Sequence, residues 1–417
     1  MINNSIDFSI IIPIYNLQDY IVECLESILI QKDATFEIIC IDDASTDNSL
    51  NILLEYQRND SRIKVFLNKT NQGPATSRNN GLRQACGKYI YYLDGDDCLK
   101  ENALKKMLNL MNEKDLDFLG FSSEIFYDDE QLKMECEFDK DEYIRHNCCG
   151  EVLDGPEMFS LLYDNHERAC ANLCLYCFRN DFIKGKGLYD IEGLRYADDN
   201  LFIKYMNANR VMCIKEVLHR RRYRRGSTVM GPAKKVYLES EIVLLADEFA
   251  CWQKQRLTKK QNTSVFNYFM DRMQEIDCFL YKFKKEKSEM TFLKEHYSAF
   301  FLYKSMFENA LLYECLLSEQ QKKMILLADK LIIYGAGYYA EKITDILEHY
   351  GKNDYVVVVS NKNKTLELKK HKVYELKQVK SKCTNAIVIV AMSKKNKNTI
   401  DKEILKLKAK EIIWFGK

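Results

Sequence analysis

The chain has 417 residues, enough for two or three domains at roughly 150 residues each. Its 62 Lys and Arg balance 61 Asp and Glu, so a net charge of +1 gives no global argument for nucleic acid or another polyanionic partner. The 15 cysteines are scattered through apolar segments, with neither a signal peptide nor an apolar run of about 18 residues, and this predicts a protein of the reducing cytosol.

Phe8 to Ile14 is an apolar β-type run broken at Pro13, followed by Tyr15, Asn16 and a helical pattern through Ile21, Cys24, Leu25 and Ile28. The unit repeats in Glu37 to Ile41, which ends in Asp42 and Asp43 before cap candidates Ser45, Thr46 and Asp47 and a helix from Asn48 to Gln57. A third strand, Ile63 to Leu67, precedes a helix from about Ala75 to Cys86 that carries Arg78 and Asn79. The fourth strand, Tyr89 to Leu93, is β-favouring throughout and ends in Asp94, Asp96 and Asp97. Strands alternating with helices predict a parallel α/β unit whose strand ends converge on one rim, where a nucleotide-sized ligand fits.

Aspartates crowded at such a rim repel one another unless a cation or a set of donors lies between them. Asp-x-Asp therefore points to a divalent ion, and its hard oxygens suit Mg2+ or Mn2+; a solvated turn is the alternative. Cys170, Cys174 and Cys177 have the spacing of neighbouring helical turns. They lack a second short-spaced pair to complete a zinc site, so buried thiols are expected.

The runs SIIIPIYN (Ser9 to Asn16), ICIDDASTDNS (Ile39 to Ser49), NQGPATSRNNGL (Asn71 to Leu82) and YYLDGDD (Tyr91 to Asp97) together resemble family 2 glycosyltransferases of the GT-A fold. The resemblance implies that Asp42 or Asp43 contacts uracil or ribose, that Asp94 serves ribose or the metal, and that Asp96 is the principal metal ligand, supported by Asp97. It also places Pro13, Tyr15 and Arg78 near the base and ribose. Loop packing for Tyr15 and a surface ion pair for Arg78 are the plain structural readings.

Phe118 to Cys149 reads as irregular and acidic, and a helix is expected from Asp154 to about Tyr163 with Pro156 early in it. The stretch resembles the family's variable acceptor-binding half. In LRYADDNLF, Leu194 to Phe202, the resemblance implies Asp199 as catalytic base, with Asp198 where glutamate is usual; acid at a helix N-terminus is a structural alternative. LHRRRYRRGST, Leu218 to Thr228, resembles the segment that follows the base, with Arg222 and Ser227 at matching positions. His219, Arg220 and Arg221 replace family tyrosines. Arg222 is expected at the diphosphate and His219 as a further metal ligand, although a run of arginines also suits a solvated face or an anionic membrane.

Residues 233–328 have helical periodicity and read as a connector, with its aromatic residues in a helical core. The last part begins with a strand at Lys330 to Tyr334 and GAGYYA, whose Gly335 and Gly337 resemble a dinucleotide fingerprint; further strands are expected at Tyr355 to Val359, Ile387 to Ala391 and Ile412 to Phe415. The acid that would hold a ribose is replaced by Ser360 and Asn361, which argues against NAD; a structural or oligomerising role is expected, with a small-ligand or nucleotide site at Gly335 and Gly337, or a second enzyme, as the alternatives.

The expected protein is thus α/β: a GT-A nucleotide-diphospho-sugar transferase fold (1–232), a helical connector (233–328) and a small C-terminal Rossmann-like α/β domain (329–417). Its expected activity is inverting transfer of a sugar from a nucleotide sugar, UDP-linked, to a hydroxyl of a glycan or lipid-linked glycan acceptor of the surface (capsule or lipooligosaccharide). Mn2+ or Mg2+ is the expected cofactor, in the cytoplasm or at the inner membrane face. A nucleotidyltransferase normally carries a glycine-rich basic loop where this chain has PIYNLQDY, and an inactive scaffold would not need Asp94, Asp96 and Asp199.

Overall fold

The computed structural model describes residues 6–135, 141–147, 150–167, 172–194, 200–227, 235–283, 317, 319–335, 338–359, 367–368, 371–379, 384–391 and 407–415. The chain divides into two compact units, Met1–Phe269 and Met270–Lys417.

In the first unit the strands are β1 (Phe8–Ile14), β2 (Phe36–Asp42), β3 (Ile63–Leu67), β4 (Tyr89–Tyr92), β5 (Cys98–Leu99), β6 (Phe118–Tyr127), β7 (Val152–Leu153), β8 (Tyr176–Arg179) and β9 (Val211–Tyr223). The helices are α1 (Ile21–Leu29), α2 (Ser49–Asn59), α3 (Pro74–Gln84), α4 (Ala103–Glu113), α5 (Glu130–Glu135), α6 (Gly155–Asp164), α7 (Asn180–Gly185), α8 (Leu201–Asn207), α9 (Lys235–Trp252) and α10 (Lys259–Phe283), the last continuing past the first unit. One sheet runs β3-β2-β1-β4-β8-β6-β9-β5, with β7 also on β9.

Strands β1 to β4 are parallel, as their buried apolar runs predict, and the registers Ile14↔Asp42 and Ile11↔Tyr92 set the acidic ends on one edge. Helix α1 buries Ile21, Cys24, Leu25 and Ile28, the spacing of one helical face, against this sheet. Gly73 has φ 88°, a left-handed conformation open to glycine, and Pro74 then starts α3.

Two expectations change beyond β4. Part of the stretch expected to be irregular is the ten-residue strand β6, whose inner Ser122 and Ser123 weaken the local apolar signal although both are buried. It is held by β9 in parallel and β8 antiparallel, long-range pairings that override local propensity. Cys174 and Cys177 lie on a short 3-10 turn, Leu173–Leu175, and on β8, and therefore not on neighbouring helical turns.

Helix α9 and the start of α10 pack aromatically on this unit. Phe202 stacks on Tyr268 at 5.4 Å, and Trp252 stacks on Phe269 at 5.1 Å. Among the described residues no helix is long and apolar enough to cross a membrane.

The second unit holds β10 (Leu331–Tyr334), β11 (Val356–Val359), β12 (Glu367–Leu368), β13 (His371–Glu375), β14 (Ile387–Ala391) and β15 (Glu411–Phe415), ordered β12-β13-β11-β10-β14-β15. All pairings except β12 with β13 are parallel, so the sheet winds outward both ways from β10 in a Rossmann-like order. The strand β13 had no counterpart in the sequence reading. Gly335 ends β10 at φ 126°, again in the region that favours glycine, and its N–H donates to the Val358 carbonyl at 2.8 Å. Gly337, Ser360 and Asn361 lie outside the described residues.

Candidate active site

At the rim, the loops after β1 and β2 are tied together. The Asn16 backbone N–H donates to Ser45 Oγ at 3.1 Å, and Asn16 Oδ1 accepts from the Thr46 N–H at 2.8 Å. Tyr15, beside them, is exposed at 45%, and Pro13 is only partly covered. An aromatic face left in water at a rim of backbone loops is available to a planar ligand.

The two aspartates after β2 have different work. Asp43 is buried, and its carboxylate accepts from Asn68 Nδ2 at 2.8 Å, the Gln72 N–H at 2.9 Å and the Gly73 N–H at 2.8 Å. It holds the loop that leads into α3. Asp42 is equally buried; one oxygen accepts from the Ser45 N–H at 3.2 Å, and the other, Oδ1, has no partner. A buried acceptor without a donor is costly unless a ligand supplies one. Asp43→Asn is therefore expected to destabilise the fold by about 2 kcal/mol, whereas Asp42→Asn should leave the melting temperature within a degree or two and weaken nucleotide binding about tenfold. Melting curves and titration with UDP check the pair; equal loss of stability in both would contradict this division.

Arg78 projects from α3 to Asp94, with Nη2 at 3.1 Å from Oδ1. Burial would raise the Asp94 carboxyl, but Arg78 and then Arg221 outweigh it and hold it below the usual carboxylate value. Asp96 behaves oppositely: burial, then Asp97 and Asp94, push it up to about 6, although Arg224 Nε lies 2.7 Å from its Oδ2. Asp97 closes the turn, its N–H donating to the Asp94 carbonyl at 3.0 Å. Its Oδ1 accepts from the Arg222 N–H at 2.8 Å, and its Oδ2 lies 3.2 Å from His219 Nε2. Three carboxylates on one turn, where burial and then mutual repulsion raise Asp96, form a hard-oxygen donor set that a divalent ion would relieve.

His219, expected as a further metal ligand, is buried and near enough to Asp94 to be one of the groups that hold its carboxyl low. Its Nδ1 meets Ser123 Oγ at 2.8 Å, and among the described residues the group with ligand atoms mutually within 4.8 Å is Asp97, Cys174 and His219, all buried. The antiparallel pairing of β5 with β9, Cys98↔Arg220 and Leu99↔His219, brings His219 to Asp97.

Arg222, expected at the diphosphate, has its guanidinium engaged by Glu23, by Asp128 at 2.9 Å and by the Asp96 carbonyl at 2.8 Å. Ser227 follows in a turn, its N–H donating to the Arg224 carbonyl at 3.4 Å. Asp198 and Asp199 lie outside the described residues, but the chain on both sides of them is anchored. Asn79 of α3 exchanges bonds with the Asp190 backbone at 2.8 and 3.0 Å, and the buried Lys204 of α8 pairs with the buried Asp190 at 3.0 Å. That pair was not foreseen, because a lysine and an aspartate 14 residues apart carry no local signal.

Residues 9–163 match the family model Glycosyl transferase family 2. The uncharacterized glycosyltransferase EpsJ of Bacillus subtilis (strain 168) is 31% identical over 215 residues, 51% of this chain and 59% of that protein. Poly(ribitol-phosphate) beta-glucosyltransferase of Bacillus spizizenii is 40% identical over 112 residues, 26% of this chain and 18% of that protein. The chain thus spans 59% and 18% of the length of these two curated relatives. The crystal structure of S. aureus TarS 1-349 in complex with UDP-GlcNAc is similar with a TM-score of 0.51 at 21% identity, covering 88% of this chain and 98% of that one. The likeness is one of fold, and it agrees with the GT-A reading of the large sheet.

Proposed function

We propose that this family 2 protein transfers a sugar, with inversion, from UDP to a hydroxyl of a surface glycan. The observation that carries the reading is the unpartnered, buried Asp42 Oδ1 on the same rim as Arg78, Asp94 and Asp96. A uracil N–H or ribose hydroxyl supplies the donor that Asp42 lacks, and Tyr15 offers a face to the base. The TarS structure named above contains UDP-GlcNAc, and the Bacillus spizizenii relative is named for glucosyl transfer to poly(ribitol phosphate); both favour a UDP-hexose or UDP-N-acetylhexosamine donor and a surface-polymer acceptor. The three-part division at 232 and 328, a cytoplasmic site at the inner membrane face and self-association through the C-terminal unit belong to the same proposal.

In this mechanism Asp199 takes the proton of the acceptor hydroxyl as its oxygen bonds to the anomeric carbon, while the bond from that carbon to the diphosphate breaks and its electron pair leaves with UDP. Asp94 and Asp96 would hold Mn2+ or Mg2+, which when bound supplies charge neutralisation to the leaving diphosphate. Arg78 orients Asp94, and Asp43 fixes the loop before α3.

Incubation with a panel of nucleotide sugars and Mn2+ or Mg2+, followed by mass spectrometry, tests this. Release of UDP from one or a few donors is expected, and neither release nor binding from any donor would sink the transferase reading.

A further inference from the structure

We infer that Arg221, and not Arg222, is the arginine of the segment 218–228 that grips the donor's diphosphate. The inference rests on the donor reading above and assigns the phosphate contact within it.

The five arginines of this segment are sorted by the two-residue alternation of β9. Arg220 and Arg222 share one face. Arg220 Nε binds Glu124 at 3.0 Å, Arg222 binds Glu23 and Asp128, and both guanidinium groups lie over the Phe126 ring, at 4.5 and 4.4 Å. Beyond the strand, Arg224 pairs with Asp96 and Arg225 lies 3.9 Å from Asp129. His219, Arg221 and Tyr223 share the other face, and on it His219 reaches Asp97.

Arg221 alone of these five has no hydrogen bond or ion pair with a described residue; its guanidinium lies over the Tyr143 ring at 4.9 Å. Burial would lower its pKa, yet Tyr143, then Asp97 and Asp94, raise it, and in return it helps to hold Asp94 ionised. It is therefore a charged, partly buried fork near Asp94 and Asp97 whose N–H donors are bonded to none of the described residues. A diphosphate, with paired oxygens, matches the fork. Arg222 could reach a phosphate only by giving up two carboxylates and a carbonyl.

Calorimetric titration of the full chain with UDP and with uridine, which lacks the phosphates, tests the assignment. The wild type should prefer UDP. Arg221→Gln should weaken UDP binding about 10- to 100-fold while uridine affinity stays constant, and Arg222→Gln should keep the UDP-to-uridine ratio. Unchanged uridine affinity also certifies a folded base site. Should Arg221→Gln fail to fold, Arg221→Tyr, which puts another planar group over Tyr143, is expected to show the same selective loss. A UDP preference that survives in the Arg221 variant measured overturns this inference alone. A wild type that binds UDP no better than uridine overturns the donor reading and this inference with it.

Discussion

Asp96→Asn is expected to remove transfer activity and, in the absence of divalent ions, to make the protein more stable at neutral pH. Burial and the neighbouring Asp97 and Asp94 raise the Asp96 carboxyl to about 6, above the roughly 3.9 of an unfolded chain. Between those values the native state binds a proton that the unfolded state releases, so stability falls as pH rises through this window. The cost is complete above about pH 6 and absent below about pH 4. A shift of about two units corresponds to roughly 2–3 kcal/mol at most, and the variant also loses the charged partner of Arg224. A net gain of about 1 kcal/mol at pH 7.5 is expected, fading to nothing or to a small loss at pH 4. Denaturant unfolding of both proteins in chelator across that range measures it; a gain of equal size at pH 4 would show that burial of the charge is not the cause. Activity should fall about 100-fold or more, since the same carboxylate is assigned the metal.

The second large effect is expected at Asp199. Asp199→Asn keeps the size of the side chain and removes its basicity, so turnover should drop by about 10^2 to 10^4 while UDP affinity stays within about twofold of wild type. Asp198→Asn, in the neighbour proposed only to orient the base, should cost about tenfold or less. Stopped turnover assays with the donor found in the panel, alongside UDP titration, separate the two. Near wild-type turnover in Asp199→Asn would move the base elsewhere, and parallel loss of UDP affinity would mean that Asp199 binds the donor instead.

These effects differ in how far they could be read without coordinates. Asp96 was recognisable because a continuous apolar strand delivers it to a sheet edge, yet its raised pKa depends on its burial and on how the turn folds Asp97 and Asp94 back on it. His219 was assigned to an ion with Asp94 and Asp96 from residue type alone, and the strand pairing of β5 with β9 places it with Asp97. Strand β6 was missed because its inward polar residues, Ser122 and Ser123, find partners only through distant elements: Ser122 Oγ accepts from the Arg145 N–H at 3.0 Å, and Ser123 Oγ meets His219.

By itself the sequence determined the α/β alternation, the first four strands to within a residue or two, the acid at their ends and the second, Rossmann-like sheet. All of these follow from local periodicity and from motifs a few residues long. Only the tertiary structure decided which acid does what: Asp43 bonded to its own loop, Asp42 left with a free oxygen, Asp94 paired with Arg78, and Asp97 locked to β9. The physical reason is that electrostatic and hydrogen-bond partners are chosen by distance in space. Asp97 and Arg222 stand 125 residues apart in the chain and 2.8 Å apart in the fold.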